Sequence, residues 1–188
     1  MTGGDRTVGI LTLGALLVGV PAEARAQDAV KMRTVDVPRI GRQAPEVILP
    51  YVTRQGPGPV DQPFRLSAEL GRVVVLLFHA GDGFLGELTG QVDSLLGRNG
   101  VLAVVTPDSA EGIVDRATRL ALPYKSLTDG GGEVSRRFGF GNRVPGDGGV
   151  AWVVSPLGKM TGRVTGLRTG NPAALAELGR LVEKSRKE

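Results

Sequence analysis

Val73-Val74-Val75-Leu76-Leu77-Phe78, then His79-Ala80-Gly81-Asp82-Gly83-Phe84-Leu85, then Gly86-Glu87-Leu88, is the stretch on which the reading of this chain turns. Six consecutive apolar residues are too apolar for a strand with one wet face, and they predict a central strand buried on both faces. A glycine-bearing corner follows. Beyond it Leu85, Leu88, Val92, Leu95 and Leu96 fall on one helical face, which predicts a helix over roughly 85–98, stopped by Asn99-Gly100. Val101–Thr106 predicts the next strand. Two strands around one helix within 34 residues is the spacing of a parallel crossover. In such sheets ligands meet the carboxyl ends of the strands and the start of the following helix, so residues 79–86 are where chemistry is expected.

Outward from this unit the pattern continues. Asp108, with Glu111 three residues on, reads as the N-cap of a helix running to about Leu120. Leu122-Pro123-Tyr124 begins an extended piece, Asp129-Gly130-Gly131-Gly132 is a turn, and Glu133–Phe138 predicts a short helix. Gly139–Gly149, with five glycines and a proline in eleven residues, reads as a mobile loop or a closely approached backbone. Val150–Ser155 and Thr161–Leu167 flank Pro156-Leu157-Gly158-Lys159 and predict an antiparallel hairpin. Asn171-Pro172 predicts an N-cap and first helical position, with Leu175, Leu178, Leu181 and Val182 as the buried stripe of a last helix. Towards the N-terminus, Phe64–Ser67 and Val47–Leu49 predict short strands. Pro50–Pro63, with four prolines, predicts a loop between edge segments.

Residues 1–26 read as a signal peptide. Val8–Val20 is an apolar run of 13, and Ala24-Arg25-Ala26 is a small-x-small cleavage site. As a helix, 13 residues would cover about two-thirds of a bilayer core, so no stable membrane span is expected. The rival reading is an uncleaved N-terminal membrane anchor. Cleavage after Ala26 would export the chain to the periplasm or the extracellular space, with 27–39 as a flexible lead-in and 40–188 as one domain. Lysine and arginine number 23 against 19 acids, a net charge of +4. The charges are scattered apart from Lys184-Ser185-Arg186-Lys187, which suits a helix end, and aromatics are 4%. No nucleic-acid partner is expected. The chain has no cysteine, which rules out a disulfide framework and any thiol chemistry.

The order of motifs resembles the peroxiredoxin-like branch (alkyl hydroperoxide reductase/thiol-specific antioxidant, or redoxin, domains) of the thioredoxin-like superfamily. The stretches that carry it are Ile40-Gly41-Arg42-Gln43-Ala44-Pro45, Gly71-Arg72-Val73-Val74-Val75-Leu76, Val104-Val105-Thr106-Pro107-Asp108-Ser109, Leu122-Pro123-Tyr124 and Trp152-Val153-Val154-Ser155-Pro156-Leu157-Gly158-Lys159. The resemblance implies an α/β, thioredoxin-like three-layer fold: a central mixed β-sheet with helices on both faces. It also implies an antioxidant thiol oxidoreductase, and there this chain departs from the pattern. In the one-cysteine register Phe78-His79-Ala80 and Asp82 align, while Phe84 takes the Thr position, Leu85 the Pro, Gly86 the Gly and Glu87 the Cys; Gly149 takes the Arg position. In the two-cysteine register the cysteines fall at Gly83 and Gly86.

A thiolate at such a corner needs unpaired N–H groups and a nearby cation. Glu87, read as a first-turn carboxylate, would enjoy the same N–H groups, but a carboxylate cannot accept oxygen from peroxide as sulfur does. His79, the only histidine, reads first as a packing ring. It is also a candidate base or ligand that Asp82 and Glu87 could join around a metal, the alternative being an enzyme with non-thiol chemistry. Phe84 and Trp152 are candidates to line a small apolar pocket, with a core role as the plainer reading of Trp152. Arg136-Arg137 reads as a solvated helix face or, failing that, an anion site. No resident metal or other cofactor is expected. The partner is left as a protein or a small ligand in the former peroxide cleft, and the oligomeric state is left open.

Overall fold

Val73–Phe78 is an interior strand of a seven-stranded sheet, flanked on both sides, and all six of its residues are buried. The computed structural model describes residues 37–140 and 148–188. The predicted signal peptide, most of the lead-in and most of the glycine-rich stretch 139–149 lie outside the described residues. In chain order the elements are β1 (Ile48–Leu49), β2 (Tyr51–Thr53), β3 (Gly56–Pro57), β4 (Phe64–Arg65), β5 (Val73–Phe78), α1 (Asp82–Thr89), α2 (Val92–Leu96), β6 (Gly100–Thr106), α3 (Ala110–Arg119), β7 (Lys125–Thr128), α4 (Glu133–Arg137), β8 (Gly149–Val154), β9 (Met160–Leu167) and α5 (Pro172–Ser185).

The main sheet has the order β3-β2-β7-β6-β5-β8-β9, and β1 pairs with β4 apart from it. Strands β5, β6 and β7 are parallel, and the outer strands run antiparallel to their neighbours. Alternation along β5 divides the core in two. Val73, Val75 and Leu77 pack with side chains of α1, α2, α3 and α5, while Val74, Leu76 and Phe78 pack with Val134 of α4, Phe138, Phe140 and Trp152. The expected three layers, with helices on both faces of a mixed sheet, are therefore present. Each fully buried large apolar side chain contributes roughly 1.5–3 kcal/mol, which is why β5 tolerates no polar residue.

Four local expectations are corrected. The helix expected over 85–98 is two helices, beginning three residues earlier at Asp82 and interrupted at Gly90-Gln91. Thr89 turns its hydroxyl back onto the Leu85 carbonyl (2.9 Å), and Thr and Gly are weak helix formers. The cap of α3 is Ser109, whose hydroxyl accepts from the Gly112 N–H (3.3 Å), because Asp108 is drawn to Arg116 instead. Residues 50–63 are not all loop: β2 and β3 form a hairpin on the sheet edge at β7, with Pro57 on the outermost strand, where its missing N–H costs no ladder bond. The strand predicted over 64–67 ends at Arg65 and turns into a 3-10 helix over Leu66–Glu69. The cap at Asn171 with Pro172 after it is as expected, Asn171 Oδ1 accepting from the Ala174 N–H.

Candidate functional site

The corner after β5 is shaped by backbone first. His79 takes φ +55, an uncommon conformation for a side-chain-bearing residue that costs about 1 kcal/mol or more. Gly81, extended at φ −75 and ψ 157, then caps α1 without a side-chain hydrogen bond. Asp82 is the first helical residue, where its carboxylate suits the helix dipole. Two arginines of α3 converge on it: Arg116 Nε at 2.8 Å and Arg119 Nη2 at 2.7 Å. The Arg119 hydrogen bond is the main reason the Asp82 carboxyl is held below the ordinary aspartate value. Arg116 also reaches Asp108 (2.6 Å), which accepts from the Thr106 hydroxyl (2.8 Å).

Glu87 is not where the sequence reading put it. With α1 starting at Asp82, residue 87 is beyond the first turn, and its carboxylate does not meet unpaired N–H groups of its own helix. It points instead to the Gly170 N–H, at 3.3 and 3.4 Å from its two oxygens. The first-turn position belongs to Gly83, so the helix start fits the two-cysteine register better than the one-cysteine register. A side chain at 83 would meet the Thr169 hydroxyl, 2.5 Å from a built Cβ.

The remaining candidates are structural by their surroundings. Phe84 is 2% exposed and packs in the core between α1 and the sheet. Trp152 is buried on the opposite face, so the two do not share a pocket. Gly149 opens β8 with its Cα against the corner: a Cβ there would lie 3.2 Å from both the Ala80 Cα and the Phe78 carbonyl oxygen. An arginine at 149, where the resemblance places one, would require the Ala80 and Phe78 backbone to give by a few tenths of an ångström. His79 is half-buried, edge-on to Phe140 with centroids 5.4 Å apart, and its Nε2 has no hydrogen-bond partner among the described residues. Burial lowers its pKa from the ordinary 6.5, with Asp129 acting weakly against the shift.

Among the described residues no three of His, Asp or Glu converge as metal ligands, so His79, Asp82 and Glu87 do not form the ligand set considered above. Asp129 is taken up by the N–H groups of Val134 (3.2 Å) and Ser135 (2.7 Å). Arg136 and Arg137 cap nearby carbonyls, those of Gly131 and Glu46, rather than forming an anion site. The sequence reading missed Arg116, Arg119, Thr169 and Gly170. The two arginines lie three apart on one helix, a legible pairing, but nothing in the sequence names a partner 37 positions away. At the other end of the sheet, where β6 and β7 begin, a cleft of about 590 Å³ is lined by Arg54, Arg72, Arg98 and Lys125 with Glu69 and Asp93.

No protein-family profile matches the chain, and no curated protein matches it in sequence. Solved structures do match. Peroxidoxin BcpB from Mycobacterium tuberculosis is 17% identical, with 79% of this chain and 99% of that one aligned at a TM-score of 0.63. AhpC of Enterococcus faecalis is 16% identical over 81% of this chain and 98% of that one, at a TM-score of 0.61. A Chlorobium tepidum protein named as a thiol:disulfide interchange protein of the DsbE type is 19% identical over 77% and 98%, at 0.56. Identity at this level speaks for the fold alone: the chain has the peroxiredoxin-like form of the thioredoxin-like fold, without a cysteine anywhere in its sequence.

Proposed function

We propose that this chain is an exported, catalytically silent domain of peroxiredoxin-like fold that serves as a binding or scaffold module. One observation carries the reading. At the corner where a thiol would act, the acidic side chains are committed to structural partners: Asp82 to Arg116 and Arg119, Glu87 to Gly170. The family's Thr position is held by Phe84, a core side chain, and its Arg position by Gly149, whose backbone lies close to Ala80 and Phe78. A peroxidase needs a thiolate and donors aimed at the developing charge, and neither is available in this arrangement. Export is supported by Val8–Val20 and Ala24-Arg25-Ala26.

Dithiol-driven peroxide consumption by the purified protein should equal the buffer blank. Turnover above the blank that survives chelation and repurification would overturn the silent assignment. Intact mass of envelope-purified protein should begin at Gln27, and full-length chain in the soluble cytoplasm would overturn export. A pull-down from envelope extract should recover a stoichiometric partner that is retained after Asp82→Asn.

A further inference from the structure

At the end of the domain away from the corner, three turns repeat one pattern: Ile40-Gly41-Arg42, Leu70-Gly71-Arg72 and Leu157-Gly158-Lys159, an aliphatic residue, a glycine and a cation. All three glycines have positive φ (+83, +89 and +78), the conformation that lets each turn fold back. The turns meet. Gly41 N–H donates to the Met160 carbonyl (2.7 Å), Ala44 N–H to Gly158 (2.8 Å) and Gly71 N–H to Pro156 (2.9 Å). The Gln43 side chain donates to the Leu157 carbonyl (3.2 Å), and a Cβ built on Gly158 lies 3.0 Å from Leu70 Cδ2. Burial does not explain the aliphatic residues: Ile40, Leu70 and Leu157 are 65%, 49% and 57% exposed, half of the six large exposed apolar side chains among the described residues. Two of the three cations are also unspent, while Arg72 is partly engaged, donating to Glu69 and to the Gly100 carbonyl. Arg42 and Lys159 make no ion pair among the described residues, and Arg72 shares Glu69 with Lys125, two cations on one carboxylate.

We propose that this three-turn face docks on the surface of an anionic lipid bilayer. Exposed aliphatic tips, each with a cation two residues on, fit a boundary where acyl chains meet negative headgroups. An acidic protein would satisfy the cations but would leave three aliphatic tips in water unless it supplied an apolar counterpart. No helix among the described residues is long and apolar enough to cross a membrane, so this contact is peripheral.

The cysteine-free background allows one probe at one site. The mature chain from Gln27, carrying Leu157→Cys, is labelled with an environment-sensitive fluorophore and titrated with vesicles of phosphatidylcholine containing 30% phosphatidylglycerol, or of phosphatidylcholine alone. Emission should shift to the blue with the anionic vesicles only, and the shift should weaken as salt is raised. Adding Arg42→Glu and Lys159→Glu should raise the lipid needed at least tenfold. The same label at Val60→Cys, on a residue 99% exposed beyond β3, should not shift. No shift at 157, an equal shift with neutral vesicles or an equal shift at 60 would overturn the proposal. So would a shift with polyglutamate in place of vesicles, which would assign the face to an acidic protein.

Discussion

The two ends of the parallel strands are built on opposite terms. At the carboxyl ends, His79–Glu87 are held by ion pairs, a buried phenylalanine and a backbone contact at Gly149. At the amino ends, three turns expose aliphatic side chains, and two of their three cations, Arg42 and Lys159, have no ion-pair partner among the described residues. Chemistry in related folds is expected at the first end, yet half of the large exposed apolar side chains among the described residues lie at the second. The difference teaches that a fold can keep the geometry of a site after its groups have been drawn into structure. Binding function should then be sought where side chains have no structural explanation.

The sharpest way to break the comparison is to treat the corner as if it were open. Phe84→Ala removes a buried ring and should cost roughly 3–5 kcal/mol, read from the urea midpoint. Gly149→Arg drives a side chain into the Ala80 and Phe78 backbone and should cost about 3 kcal/mol. Near-neutral values for both would mean that the packing at positions 84 and 149 is looser than the distances show.

A smaller effect concerns His79. Burial disfavours the protonated imidazole, which lowers the folded pKa from the ordinary 6.5. As pH falls through 6.5 the unfolded chain takes up the proton first, and stability should decline towards the folded pKa. Above 6.5 the contribution should be flat. His79→Gln should remove that segment of the pH–stability curve. A wild-type curve with no decline below 6.5 would show that the ring is freely hydrated.

The smallest effect belongs to Asp82. Its lowered carboxyl pKa adds stability above the ordinary aspartate range, lost as pH falls through the folded value. The side chain is 40% exposed, so screening limits the two ion pairs to about 1 kcal/mol together. Asp82→Asn should lower stability by up to that amount at pH 7, and the gap should close in acid. A loss several times larger would make this cluster the keystone of the corner rather than a trim.

The fold was legible because its signals are local and redundant. Val73–Phe78 has one reading as a strand, and Asn171-Pro172 has one reading as a helix start. The corner was less legible because its outcome depends on where α1 begins. Gly81, with no side chain to mark a cap, hid a start at Asp82 behind the apolar period that begins at Leu85. That shift of three residues moved Glu87 out of the first turn and brought Gly83 into it. The partners of Asp82 and Glu87 were beyond reach, since pairings across 37 and 83 positions leave no trace in residue type or spacing. The three-turn face was visible residue by residue, but only the hydrogen bonds between the turns make it one surface.

The contrast between the core side chain beside the corner and the exposed turns at the opposite end can be measured directly by thiol alkylation in the cysteine-free chain. Phe84→Cys places a thiol at a position 2% exposed, and Leu157→Cys places one at a position 57% exposed. Under native conditions the thiol at 84 can react only through opening of the structure, so it should be alkylated at least about a hundredfold more slowly than the thiol at 157. Comparable rates at the two positions would contradict the account, because they would mean that position 84 is as open to solvent as the turns.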